Sequence, residues 1–370
     1  MTTTAREEAI SVTESVDLIP MVPHLLGFAP QQSLVVMCFR GKRLGPVMRV
    51  DLPPAESAAD ISEYLALQAQ QHGDRVVVLA YSDRKEASAI LRVLLDRMLE
   101  DLPVIDAAVV AGNRVSFLPD PRGRVADPVQ LPSTGPAAQR LAAESAWHGR
   151  GVLPTRQAVA ASIAPPTADG LRRGEQAIAA ARDELAPLAL RSLQWLAARA
   201  DITLDLSLAA MDRDCRVPAN CAAGLALLAQ TPAVRDLMIA AMLGERHRPW
   251  VPMLVDALAQ LPAEESIDLS VMLAVMAYRA GDGALGQIAV DRAVRVDPEH
   301  RLAGLMLAIM EAGLPPSGLD DLAGLAAPAS WPLDDEWGQE LDDEWDDEWD
   351  EEWDGRWNGR SADESDQEAN

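Results

Sequence analysis

Lysine is almost missing from this chain: only Lys42 and Lys85 stand among its 32 basic residues, a bias that carries no mechanism. Cysteine is scarce as well. The three that exist (Cys38, Cys215, Cys221) are too few and too scattered for a disulfide framework, which fits a reducing cytosol. No apolar stretch reaches the roughly 18 residues of a bilayer span. The N-terminal MTTTAREEAISVTESVD is polar and its first apolar run is broken by Pro20 and Pro23, so no signal peptide is expected. The five histidines (24, 72, 148, 247 and 300) fall in no HExxH or other short two-His spacing. Cys215 and Cys221 flank Pro218 without a second ligand pair and read as two buried or half-buried thiols, so no metal is expected. There is neither a GxSxG elbow nor a Walker loop. Gly281-x-Gly283-x-x-Gly286 matches the dinucleotide fingerprint as a string. It follows an expected helix rather than a strand, so the phosphate cradle is missing and no cofactor is expected.

Positive charge is also in deficit, with a formal net charge of −25. Residues 331–370 hold 18 Asp or Glu and 2 Arg, a net of −16, which leaves −9 for residues 1–330. That balance speaks against nucleic-acid binding, which draws on a basic face. Small basic clusters stand at Arg40/Lys42/Arg43, Arg172/Arg173 and Arg246/His247/Arg248, positions that read as solvated helix ends or turns.

What is abundant is the combination of acid and tryptophan near the C-terminus. The stretch runs DDEW at 334–337, DDEW at 342–345, DDEW at 346–349, DEEW at 350–353 and DGRW at 354–357, with Leu333 and Leu341 in the remaining slots. On a helix a spacing of four advances about 40° per step and would stack the indoles in one drifting stripe. Acidic neighbours three and four apart repel at roughly 0.2–0.5 kcal/mol per pair, so the expected state is extended and disordered. Such composition belongs to segments that order on a basic, apolar partner surface, with Trp337, Trp345, Trp349, Trp353 and Trp357 as the contact residues. The bland alternative is a solubilising appendage, for which exposed indoles are a poor choice.

The body reads as two domains: a flexible N-terminus over 1–14, an α/β domain over 15–118, a linker loop over 119–136 and a helical domain over 137–315, with the acidic, Trp-rich tail occupying 316–370. Runs of strand length lie at Ser33–Phe39, Pro46–Leu52, Arg75–Tyr81, Val104–Ala111 and Val115–Leu118, with Gly41–Gly45 as a turn and Gly112-Asn113 as a type I′ signal. Helices are expected over 56–72 and 84–101, giving a mixed sheet covered by helices. Beyond residue 136 the pattern is helical throughout: 136–147, 154–163, 170–199, 218–230, 232–244, 249–260, 264–280, 283–296 and 299–312. The stretch from Gly281-Asp282 through Ala293 to Asp297-Pro298, with Tyr278 before it, resembles the second half of a tetratricopeptide repeat, so one tetratricopeptide-like hairpin is expected near 264–298. A single unit is short of the three or more that build a peptide groove.

Pro23-His24-Leu25-Leu26-Gly27-Phe28-Ala29-Pro30-Gln31-Gln32-Ser33 with Val50-Asp51-Leu52-Pro53, together with the Gly281–Pro298 block and the following Arg301-Leu302-Ala303, resembles an actinobacterial family known as domain of unknown function 4192. The resemblance spans about 15–315 and implies the fold but no activity. Some members of that family would carry a cysteine-containing segment after the fourth strand. This chain has Phe117-Leu118-Pro119-Asp120-Pro121-Arg122 there, so no metal role carries over.

Weak catalytic candidates sit where strands end: Asp51, Ser82 and Asp83, with His24 on the preceding loop. His24, Ser33 and Asp51 could form a nucleophile–base set, but spacing does not show that they meet. Ser82 or Asp83 reads more simply as the cap of the helix that follows, and Asp51 as a strand-end residue. Gly27 permits a left-handed turn and Phe28 anchors the segment, so His24, Gly27, Phe28 and Ser33 form a candidate ligand loop. Taken together, the residues favour a cytoplasmic, non-catalytic binding or adaptor protein using its acidic-Trp tail, without nucleic acid or membrane. The alternative is a small-molecule-binding α/β enzyme with its site at the carboxyl edge of the sheet.

Overall fold

The computed structural model describes residues 14–98, 102–119, 127–131, 135–147, 151–165, 167–189, 192–244, 248–316 and 318–319. The acidic-Trp segment and its five contact tryptophans, the expected flexible N-terminus up to residue 13, and the Arg246/His247 pair lie outside the described residues.

A 3-10 turn over Ser15–Met21 runs into the short helix α1 (Val22–Leu26), which ends at Gly27 in the left-handed region at φ 73°. Strand β1 (Ser33–Arg40) and β2 (Arg43–Asp51) form a hairpin whose turn is only Gly41-Lys42, tighter than the expected five residues. Then come α2 (Ala58–His72), β3 (Arg75–Tyr81), α3 (Ala87–Met98), β4 (Val104–Ala111), β5 (Arg114–Phe117) and β6 (Val129–Gln130). The sheet order is β2-β1-β3-β4-β5-β6. Among the described strands of the sheet only β3 and β4 pair in parallel, joined through α3, and their neighbours are antiparallel, so the sheet is mixed.

Two details of the sheet correct the sequence reading. Residues 119–136 are not all loop, because Val129 and Gln130 pair with Val115 and Arg114 as an edge strand too short to leave a periodic signal. At the β4–β5 turn Gly112 has φ 60° but Asn113 does not enter the positive region. That is the pattern of a type II′ turn, which needs positive φ only at its first central residue, rather than type I′.

Side-chain alternation divides the sheet between two apolar layers. Leu34, Val36, Cys38, Val76, Val78 and Ala80 face α2 and α3, where Leu65, Ala69, Ile90, Leu91 and Leu94 cover them. Val35, Met37, Val77 and Leu79 face the other way, into an apolar core shared with the 15–28 segment and the helices. Both faces are covered, so β1 and β3 read as unbroken apolar runs rather than alternating ones.

The helical part holds α4 (Pro136–Trp147), α5 (Arg156–Ser162), α6 (Ala168–Ala189), α7 (Leu193–Asp214), α8 (Ala219–Ala229), α9 (Pro232–Gly244), α10 (Trp250–Leu258), α11 (Ile267–Arg279), α12 (Gly283–Val296) and α13 (Arg301–Glu311). The expected single helix over 170–199 is two. Pro187 lies in the last turn of α6, where its ring removes a donor and crowds the preceding turn. A second helix, α7, then runs on to Asp214, through residues the sequence reading left unassigned. Its buried line of Ala200, Leu204 and Leu208 is diluted by the acids Asp201 and Asp205. Cys215 closes it at φ 53° and is exposed, not half-buried, whereas Cys221 is buried.

Helix α11 is buried at every position from Leu269 to Ala277 and forms a hairpin with α12. The close approach comes at Gly286, where a Cβ would stand 3.3 Å from the Ala274 carbonyl oxygen. Asp268 in the first turn of α11 accepts from Arg235 Nη1 at 2.9 Å and bonds His300 Nε2 at 3.0 Å. His300 Nδ1 in turn accepts from the Ala303 N–H, which fixes the tautomer with the proton on Nε2. One carboxylate thereby ties α9, α11 and the start of α13 together.

Candidate functional site

Register brings several candidates together at the sheet edge. β1 runs antiparallel to both neighbours, so Ser33 is opposite Asp51 on one side and Tyr81 on the other. Its hydroxyl donates to the Gln31 carbonyl at 2.7 Å and accepts from Arg49 Nε at 3.0 Å. Arg49 also pairs with Asp51 at 2.6 Å and lies over the Phe28 ring, 5.8 Å from its centroid. Across the edge, Gln32 donates to Asp83 at 2.6 Å and accepts from the Ser82 hydroxyl at 2.7 Å, while Ser82 accepts from the Arg84 N–H at 3.0 Å. Gln32 reaches this position with φ 45°, a left-handed backbone that costs strain in a non-glycine residue.

These bonds form two side-chain networks, one of Ser33, Arg49 and Asp51 and one of Gln32, Ser82 and Asp83. Ser33 is fully buried with its donor spent on a carbonyl, so it is no nucleophile waiting for a base. His24 joins neither network. The imidazole lines a separate cavity with Leu25, Gly27, Ser145, Gly151, Val152, Gly281 and Asp282, and the candidate set of His24, Ser33 and Asp51 is therefore not assembled. Two further titratable groups of the sheet, Cys38 and Tyr81, are held in their neutral forms. Burial pushes the Cys38 thiol up to about 11, and it raises the Tyr81 phenol, whose hydroxyl donates to the Ile19 carbonyl.

A second group of candidates lies at a cleft beneath the 23–30 loop. Gly27 continues the chain from α1 and, with Ala29, pairs to the backbone of Leu153: Leu153 N–H donates to the Gly27 carbonyl and Ala29 N–H to the Leu153 carbonyl, both at 2.9 Å. That bridge holds the 151–153 segment beside the loop. A cleft of about 280 Å³ opens there, walled by Leu26, Leu153, Val159, Val251, Val255 and Leu285 and carrying the carboxylates of Asp256 and Asp282. Gly27, Gly151 and Asp282 also line the adjoining small cavity with His24, so the two spaces share a wall.

Each carboxylate is oriented by the scaffold. Asp256 Oδ2 accepts from the Val217 N–H at 2.7 Å and from Gln260 Nε2 at 3.0 Å. Asp282 caps α12, its Oδ1 accepting from the Leu285 N–H at 3.0 Å. It stands over Gly27, where a Cβ would meet its carboxylate oxygen at 3.6 Å. Burial lowers the His24 pKa below its ordinary value, which favours the neutral ring at pH 7. Among the described residues no three His, Cys, Asp or Glu side chains gather as a metal site.

Of the candidate loop, then, His24 and Gly27 face the cavities, whereas Phe28 (2% exposed) is buried in the core and Ser33 belongs to the sheet edge. Sequence reasoning missed Arg49 and Gln32 as the organisers of that edge, and Ser145, Gly151 and Asp256 in the cavities. Arg49 alone left a signal, as a lone cation inside an apolar strand.

Comparison with known proteins gives one result. A family model described as a domain of unknown function, DUF4192, matches residues 16–317. No curated protein and no solved structure matches the chain.

Proposed function

The chain belongs to the family described as a domain of unknown function, DUF4192, and we propose that it is a cytoplasmic, non-catalytic binding protein whose folded part holds a small ligand in the cleft beneath the 23–30 loop. One observation carries this reading: the two sequence blocks that signal the family, Pro23–Ser33 and Gly281–Pro298, meet at that cleft through Gly27 and Asp282. Concave, mainly apolar spaces with a few convergent polar groups are the usual form of a small-molecule site. Among the described residues no single helix is long and apolar enough to cross a membrane.

The acidic-Trp segment adds a second binding element, with Trp337, Trp345, Trp349, Trp353 and Trp357 meeting a basic, apolar surface on a protein partner. Charge would set its encounter rate and indole burial its affinity. The α11–α12 hairpin serves as a tetratricopeptide-like strut rather than a peptide groove. An enzyme working at the sheet edge is the competing reading, and the engagement of Ser33 with Arg49 and the Gln31 carbonyl, and of Ser82 and Asp83 with Gln32, speaks against it.

A thermal-shift screen of small molecules against the wild-type chain and Val255→Trp, which fills the cleft, tests the first element. Hits that vanish in the variant support the reading, and hits unaffected by it refute it. For the second, partner capture by the full-length chain is compared with capture by a chain ending at Ser330. Capture that depends on residues 331–370, weakens with salt and shifts Trp emission to the blue supports it. Equal capture by both chains contradicts it.

A further inference from the structure

We infer that two copies of this chain associate through the outer face of α13, the helices lying antiparallel across a two-fold axis with Arg301 of each copy opposite Glu311 of the other.

Between Arg301 and Glu311 the helix reads Leu-Ala-Gly-Leu-Met-Leu-Ala-Ile-Met, nine residues without a polar side chain. A surface helix ordinarily keeps a polar face for water, and a helix apolar on all sides is buried. α13 is covered on one side only. It packs on α11 and α12, where Ala303 and Met306 are buried. On the other side Arg301, Gly304, Leu305, Ala308 and Glu311 are exposed, Leu305 to 53%, flanked by half-buried Leu302, Leu307 and Ile309. Nothing stands within 4 Å of a Cβ at Gly304. At about 100° per residue the five exposed positions fall on one stripe roughly 120° wide.

The charges at the two ends of that stripe say what covers it. A helix carries partial positive charge at its N-terminus and partial negative charge at its C-terminus. Arg301 opens α13 and Glu311 closes it, so the backbone of the same helix opposes both. Among the described residues neither side chain has a hydrogen bond or an ion pair. An antiparallel second copy reverses both effects. Arg301 then meets Glu311 and the negative end of the other helix, while Glu311 meets Arg301 and the positive end. The same register sets Gly304 opposite Ala308 of the second copy, and these small side chains let the axes approach to about 8 Å with Leu305 packed over them. A patch that complements itself under a two-fold makes an isologous dimer. One face of a three-turn helix buries less than the roughly 1,200 Å² of a standard interface, so the dissociation constant should be on the order of 10–100 μM.

Sedimentation equilibrium of the full-length chain over roughly 1–500 μM tests this, in about 0.15 M salt so that a Debye length of about 8 Å screens the repulsion between two acidic copies. A reversible monomer–dimer equilibrium is expected. Leu305→Glu should weaken it tenfold or more, on the order of what an unpaired charge costs in an apolar contact. Arg301→Glu and Glu311→Arg each improve the match to the helix's own ends, so neither threatens folding, and each should weaken the dimer about fivefold by setting like charges together. Combining the two restores opposite charges across the axis and should recover most of the affinity. A chain that stays monomeric throughout would overturn the inference and leave the face to a different protein. So would a dimer indifferent to Leu305→Glu, or a double variant no better than either single one.

Discussion

Replacing Gly174 by alanine should destabilise the protein, although the residue lies inside α6, where alanine is ordinarily the better helix former. Propensity alone would favour the change by about 1 kcal/mol. Against that, a Cβ at Gly174 would stand 2.1 Å from the Gln260 carbonyl oxygen and 3.3 Å from Pro262 Cδ. The oxygen cannot simply retreat. Gln260 follows α10 in a turn held by its own N–H on the Ala257 carbonyl at 3.1 Å, and its side chain bonds the Val217 carbonyl and Asp256. Relief requires α6 to move away by about an ångström, and overpacking of this kind costs about 1–3 kcal/mol or more. The expected net loss is about 1–2 kcal/mol once propensity is offset. Gly304, inside α13, is the control, because nothing stands within 4 Å of its Cβ position. Gly304→Ala should stabilise by about 0.5–1 kcal/mol. Urea denaturation of both variants reads the contrast directly. Midpoints moving in the same direction would refute the claim that α6 touches the α10 turn through a bare backbone.

Three further outcomes are expected. Gly27→Ala should cost about 1–2 kcal/mol by chemical denaturation, from the left-handed φ of 73° alone, since Asp282 at 3.6 Å leaves room for a methyl; Gly41→Ala, at φ 60° in open space, should cost about as much, and a far larger loss at Gly27 would mean the contact had been misjudged. Asp268→Ala removes the shared partner of Arg235 and His300, both largely buried, and should cost about 2–3 kcal/mol, a loss under about 0.5 kcal/mol counting against the three-helix tie. Burial lowers the pKa of His24, and burial with the nearby Arg40 charge lowers that of His72, so the unfolded chain binds more protons as pH falls through the ordinary His value of 6.5. Stability should therefore drop on acidification below that point, and urea midpoints of His24→Gln/His72→Gln should show a shallower drop than wild type; an equal slope would place the sensitivity elsewhere.

The sequence was most informative where local pattern and burial coincide. Arg75–Tyr81, Pro136–Trp147, Pro232–Gly244 and Gly283–Val296 appear with the bounds that periodicity and Gly or Pro punctuation assign them. The part of α7 beyond residue 199 was missed because its buried line alternates with Asp201 and Asp205 on the wet side, and the break before Leu193 leaves no strong start signal. β6 owes its existence to Val115 and Arg114, partners some distance along the chain, and two residues carry no period. The site was legible only in part. The density of special residues around Gly27 marked the loop, but the meeting of Gly27 with Asp282 is a tertiary fact. The same holds for Arg49, whose role follows from register: Ser33 pairs opposite Asp51, which brings the Ser33 hydroxyl within reach of the guanidinium two residues earlier.

Methyl-resolved NMR of the full-length chain, titrated with a small-molecule fragment library, would test the cleft most directly. Saturable shifts should concentrate on the methyls of Val159, Val251, Val255 and Leu285, while those of Leu65 and Leu91, under the opposite face of the sheet, stay still. Shifts that cluster at the sheet edge around Val50 and Leu52, or a library that moves no methyl of the cleft, would contradict the assignment of this cavity as the binding site.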